Sequence, residues 1–147
     1  MKLTFSVVGG PMSIRQLSVF VENKSGRIAD VVGALADGGV NIVAFALADT
    51  TDYGILRLIV DQPDKAAQIL EERRFAVAEH PVACAQIPHT PGSLATIARL
   101  VSNSRLNIEY MYLGAGYSLL LKTDEIESLE RVLQENGFSL LGERDLR

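Results

Sequence analysis

Ile28, Val31, Val32, Leu35 and Ala36 recur at i, i+3, i+4, i+7 and i+8. That spacing predicts a helix over residues 27–37 with a single apolar stripe that has to lie on a neighbouring surface. On both sides the period changes. Residues 14–21 and 42–48 are short, rich in β-branched and aromatic side chains, and read as strands. Residues 54–60 read as a third strand, and Asp49-Thr50-Thr51-Asp52 makes the turn of an antiparallel hairpin. Pro63 opens a second helix over 63–73, with Ala67, Leu70 and either Ala66 or Ile69 inward, and residues 75–79 form a fourth strand.

The same grammar recurs. A shift of 66 residues places Gly26 on Gly92, Ala29 on Ala95, Asn41 on Asn107 and Ile42 on Ile108 without a gap, and carries Ile28, Val31, Leu35 and Val40 onto Leu94, Ile97, Val101 and Leu106. Turn glycine, helix stripe and post-helix Asn-Ile are preserved together, so the chain reads as two copies of one unit. The second copy has strands over 82–87, 108–113, 117–122 and 138–143 and helices over 93–104 and 124–136, with Gly137 as a helix C′ residue. His80-Pro81 is expected to break the ladder between the copies, because proline donates no amide hydrogen. Each copy is then βαββαβ, which right-handed crossovers turn into a ferredoxin-like antiparallel sheet with both helices on one face. The expected organisation is α+β: an N-terminal extension at 1–13, in which residues 2–8 read as a strand ended by Gly9-Gly10-Pro11, and two modules at 14–79 and 80–147 packed side by side.

Composition narrows the function. An apolar content of 48% supplies cores, and no run approaches the roughly 18–20 apolar residues of a membrane span. The start of the chain lacks the pattern of a signal peptide, which predicts a cytoplasmic location without membrane contact. A net charge of −4 with scattered Lys and Arg argues against a nucleic-acid surface. The single Cys84 sits in an apolar strand and reads as inert. His80, Cys84 and His89 make an unattractive metal set, and no nucleophile, base and orienter constellation is legible, so neither metal, cofactor nor catalysis is expected.

The segment Glu22-Asn23-Lys24-Ser25-Gly26, a helix, then Gly39-Val40-Asn41-Ile42 resembles the ACT domain, the amino-acid-sensing module of metabolic enzymes. Within that family it is most similar to the serine-binding regulatory domain of 3-phosphoglycerate dehydrogenase. The second copy, His89-Thr90-Pro91-Gly92 through Leu106-Asn107-Ile108, carries the Pro-Gly form of the turn. The whole chain resembles stand-alone tandem ACT proteins. The resemblance implies that a small-molecule amino acid binds at the interface between two modules, gripped by a turn and by the post-helix asparagine of the other module. Carried over, this gives Asn23 with Asn107 and His89 with Asn41, with Ser25, Gly26, Arg27 and Ile28 in one turn and Gly92, Ser93 and Leu94 in the other.

The chemistry suits that ligand. Backbone N–H groups at Gly26, Arg27 and Ile28 open a helix and attract a carboxylate, and glycine lets the ligand approach them. An asparagine amide can serve the ammonium and the carboxylate at once. Three positions depart from the pattern. Val21 stands where the dehydrogenase domain has histidine, which leaves room for a more apolar ligand than serine. Ser25 replaces proline and is placed to cap the helix, and His89 replaces asparagine. Gly26 and Gly92 as turn residues alone, Asn41 and Asn107 as strand-entry caps, and Tyr110, Met111 and Tyr112 as packing residues stay open as alternatives. The favoured function is a non-enzymatic regulator whose effector alters a module or dimer interface, with a regulated enzyme as possible partner. The alternative is a structural or interaction module with vestigial pockets. Acyl-phosphate hydrolysis would need an arginine in a phosphate-cradling turn, and neither turn has that pattern. The sheet face away from the helices, carrying Ser18, Phe20, Arg57 and Ile59, is expected to meet water or a second subunit, which predicts a homodimer.

Overall fold

The computed structural model describes residues 13–22, 24–49 and 52–146. The expected strand at 2–8, Asn23 and the tip of the first hairpin lie outside them. The residues divide into two compact units, Arg15–His80 and a second holding Pro81–Arg147.

In the first unit, β1 (Ile14–Glu22), β2 (Ile42–Asp49) and β3 (Tyr53–Val60) form an antiparallel ladder in the order β2-β3-β1, and β4 (Ala76–Gln86) lies beyond β1. The pairs Leu17↔Leu58 and Val19↔Leu56 put apolar side chains on one face. There α1 (Arg27–Asp37) and α2 (Pro63–Glu72) cover them with Val31, Leu35, Ala66, Ala67 and Leu70. Ala36, read as part of the stripe, is exposed, and Ala34 is buried instead. At 100° per residue Ala36 lies well over a right angle from Val31, at the edge of the stripe.

In the second unit the β4 segment after Pro81 pairs with β6 (Ser118–Thr123), which pairs with β5 (Ile108–Leu113), all antiparallel. Its helices, α3 (Ser93–Asn103) and α4 (Ile126–Glu135), cover a core of Ala83, Ala85, Ile97, Val101, Leu119, Leu121, Leu129 and Leu133. The duplication reaches the register. Phe45↔Leu58 and Leu47↔Leu56 in one unit correspond to Met111↔Leu121 and Leu113↔Leu119 in the other, and both hairpins carry an irregularity two residues into the strand, between Ile42 and Ala44 and between Ile108 and Tyr110.

Three expectations are corrected. β4 passes through His80 and Pro81 without a break. Proline's φ suits extended backbone, and the β4–β6 ladder begins only at Ala83, so that ladder does not need its missing N–H. The strand expected at 138–143 reduces to one bridge, Ala85↔Leu140, flanked by Gln86 N–H to Ser139 C=O at 3.0 Å and Leu141 N–H to Cys84 C=O at 2.7 Å, before a 3₁₀ turn at Glu143–Leu146. Nor is the sheet face away from the helices open at the expected positions. Gln16, Ser18 and Ile59 are buried, with Gln16 Nε2–H donating to Ser18 Oγ at 3.1 Å, and only Phe20 is largely exposed. On the corresponding face of the second unit Val82, Cys84 and Leu120 are buried. Burial of these groups removes the open-face argument for a homodimer. Among the described residues no helix is long and apolar enough to cross a membrane.

Candidate functional site

Both α1 and α3 are opened by a glycine in the left-handed region. Gly26 has φ 90° and ψ −11°, Gly92 φ 91° and ψ −8°. These are the values a type II turn requires at its third residue. The turns close with Arg27 N–H donating to Lys24 C=O and Ser93 N–H to Thr90 C=O, each at 3.3 Å. Asp30 N–H to Gly26 C=O and Thr96 N–H to Gly92 C=O, each 3.0 Å, start the helical ladder.

This bonding corrects the expected donor set. The Arg27 and Ser93 amides are spent on their turns. Those of Ile28 and Ala29, and of Leu94 and Ala95, have no acceptor among the described residues. Ser25 makes no cap hydrogen bond, because the turn rather than a side chain begins the helix. A methyl group added at Gly26 or Gly92 would meet nothing within 4 Å, so glycine is required by its φ, and the space beside it is open. Arg27 is engaged by Asp30 at 3.3 Å and lies 4.7 Å from the centre of the Phe75 ring, and Lys24 pairs with Glu22 at 2.9 Å. That contact holds the Glu22 carboxyl below its ordinary range.

Asn41 and Asn107 use their backbone, not their side chains, to tie down the strand entry. Asn41 N–H donates to Asp61 Oδ1 at 2.9 Å and Asn107 N–H to Asp124 Oδ1 at 3.1 Å. Both side-chain amides are exposed and unbonded among the described residues. Each asparagine lies at the far end of its own module's first helix. Eleven residues span about 16 Å, so one small ligand cannot touch a turn and the asparagine of the same module.

Each module has a cavity beside its helix start. In the second module, about 440 Å³ is lined by His89, Thr90, Ser93 and Leu94 from the turn and helix, by Met111, Tyr112 and Leu113 from β5, and by Tyr117. Of the expected site residues it therefore gathers His89, Ser93 and Leu94, with Gly92 adjoining them. In the first module about 250 Å³ is enclosed by Ile28, Val32, Ile42, Phe45, Leu47, Leu56 and Leu58, so Ile28 is the one expected site residue that lines it. The two cavities coincide under the duplication, as Ile28, Phe45, Leu47 and Leu56 correspond to Leu94, Met111, Leu113 and Leu119.

Sequence reasoning missed Thr90, Leu113 and Tyr117 in the second cavity and Val32, Phe45 and Leu47 in the first, and it read Met111 and Tyr112 as packing residues. The Tyr117 ring stacks on His89 at 3.9 Å and 18°. The φ of Tyr117 is 58°, a left-handed conformation that costs a non-glycine residue roughly 1–2 kcal/mol. The surrounding turn holds it there: Ser118 Oγ–H donates to Ala115 C=O at 2.7 Å, Gly114 N–H to Ser118 C=O at 2.8 Å, and Ile87 N–H to Tyr117 C=O at 3.3 Å. An aromatic residue directly after Gly114-Ala115-Gly116 was the available signal.

Residues 12–147 match the ACT domain pair. The chain belongs to that family. It is similar to a protein from Bacteroides thetaiotaomicron of known crystal structure, with 38% identity, a TM-score of 0.87, and coverage of 92% of this chain and 96% of that one. It shares its fold with the regulatory subunits of aspartate kinase from Thermus thermophilus, in ligand-free form (TM-score 0.66, 18% identity, 84% of this chain and 89% of that one), and from Thermus flavus (0.63, 15%, 84% and 92%). A comparison with curated proteins returned no match. ACT domain pairs are typical of amino-acid-sensing regulatory domains.

Proposed function

We propose that this ACT domain pair is a non-enzymatic regulatory protein that binds a free amino acid at its helix-opening turns. One observation carries the reading. Two turns with nearly identical backbone angles each leave amides without an acceptor among the described residues, beside a cavity, and a carboxylate satisfies such donors. The side chains of Asn41 and Asn107, unbonded among the described residues, carry amide groups suited to an ammonium and a carboxylate. The helix length keeps either asparagine out of reach of a ligand held at its own module's turn. In this reading the modules span residues 14–79 and 80–147, and the protein acts in the cytoplasm as a homodimer on an enzyme partner. Its effector would work by binding one conformation more tightly than another.

The test is thermal unfolding of the whole chain with each of the twenty amino acids. An effector at 100 times its Kd stabilises by about 2.7 kcal/mol, a shift of several degrees for a protein of this size. No shift with any amino acid at millimolar concentration would replace this reading with that of an interaction module. The largely exposed Phe45 and Leu47 would then be its contact residues.

A further inference from the structure

The second module's cavity differs from its counterpart in two ways that bear on what enters it, its volume and its polar groups. At about 440 Å³ it falls within the roughly 300–1,000 Å³ of small-molecule sites, whereas the first module's 250 Å³ falls below that range. On the turn side Thr90 Oγ1 and Ser93 Oγ are hydrogen-bonded at 3.0 Å beside the Leu94 amide, which has no acceptor among the described residues. The rest of its wall is apolar or aromatic and carries no Asp, Glu, Lys or Arg. In addition, the large apolar side chains exposed among the described residues are concentrated here. Of the eight, Leu94, Met111, Leu113 and Tyr117 line this cavity and Phe45 and Leu47 the other. Such clustering marks a binding surface, whereas isolated exposed residues would not.

We infer that the second module's cavity selects an amino acid with a bulky, uncharged, apolar side chain, of the size of leucine or phenylalanine. This rests on the amino-acid-binding reading above and adds the ligand class. The α-carboxylate meets the amides of Leu94 and Ala95, and the hydroxyl oxygens of Thr90 and Ser93 accept from the ammonium. The side chain lies against Leu94, Met111 and Leu113 under the His89–Tyr117 stack. A charged side chain would lose its hydration there with no counter-charge in the wall, so lysine and aspartate are rejected. Serine and glycine keep the polar contacts and leave the apolar wall wet, so they bind weakly.

Calorimetric titration of the full chain with phenylalanine, leucine, serine, glycine, lysine and aspartate tests this, together with the variants Leu113→Ala and Tyr117→Ala. Both residues are about half exposed, so the variants are expected to fold, which their unliganded melting curves check. The expected result is a Kd for phenylalanine or leucine at least tenfold below that of the other four, weakened about tenfold by Leu113→Ala and also by Tyr117→Ala. Serine, glycine, lysine or aspartate binding as tightly as leucine would overturn the ligand class and leave amino-acid binding intact. Apolar binding indifferent to both substitutions would overturn the location. Failure of all six to bind, with none of the twenty shifting the melting curve, would overturn both readings.

Discussion

The two modules differ least in backbone and most in what lines the space beside it. Gly26 and Gly92 agree to within a few degrees, and the strand registers correspond pair for pair. Yet Lys24 and Arg27, each tied to a carboxylate, stand where the second module has the neutral Thr90 and Ser93. Val32 lines the first cavity, while its counterpart Ala98 withdraws from the second. Gly54, where an added methyl group would lie 3.3 Å from both Leu47 and Val21, corresponds to Tyr117. Duplication thus preserved what the backbone needs to make a turn with spare donors, and divergence acted on side chains in and around the cavity.

The comparison can be broken or sharpened in several ways. The largest effect is expected from the cores. Leu35 and Leu129 are fully buried, one in each unit, and Leu35→Ala or Leu129→Ala should each cost about 2–5 kcal/mol in denaturant unfolding. A cost under 1 kcal/mol for one of them would show that its unit does not depend on its own core.

Next comes the pair Ser18 and Cys84, at equivalent buried positions. Burial pushes the Cys84 thiol up to about 11, opposed in part by a hydrogen bond with Ser118. The folded value lies above the unfolded one, and the ionised form is the costly one. The neutral thiol's contribution is therefore complete below about pH 8.5–9 and is lost as pH rises toward 11, by about 2–3 kcal/mol. Cys84→Ser makes the second module like the first at this point, so the difference in stability between parent and variant should shrink over that interval. A pH-independent difference would contradict the assignment. Smaller and equal effects are expected from Gly26→Ala and Gly92→Ala. With open space at both sites the cost is conformational alone, about 1–2 kcal/mol each. Unequal losses would show that one turn is held in place by something beyond its own φ.

Much of the fold was legible because period and punctuation agreed. The stripe from Ile28 to Leu35, the glycine turns and the Asn-Ile repeat specify the same element from independent physics, and α1 has the expected bounds. What escaped depends on distant neighbours. Pro81 stays in a strand, and the β4–β6 ladder does not call on its amide, while residues 138–143 form only a bridge because few of their groups find partners on β4. Burial of Gln16 and Ser18 is likewise invisible to a rule that polar residues mark the wet face. At the candidate site the spacing of Asn, Gly and Asn was readable. The diversion of the Arg27 and Ser93 amides into their turns was not, since it follows from a 3.3 Å closure that only coordinates reveal. Nor was Tyr117, whose orientation depends on a turn that holds an unfavourable φ.

The central claim concerns the spare donors at the start of α3, and backbone amide resonances report on them directly. Titration of ¹⁵N-labelled protein with phenylalanine or leucine should move the Leu94 and Ala95 signals saturably and together with those of Tyr117 and Leu113. Saturable binding that leaves Leu94 and Ala95 unmoved, or no response from any amide to either amino acid, would contradict the account.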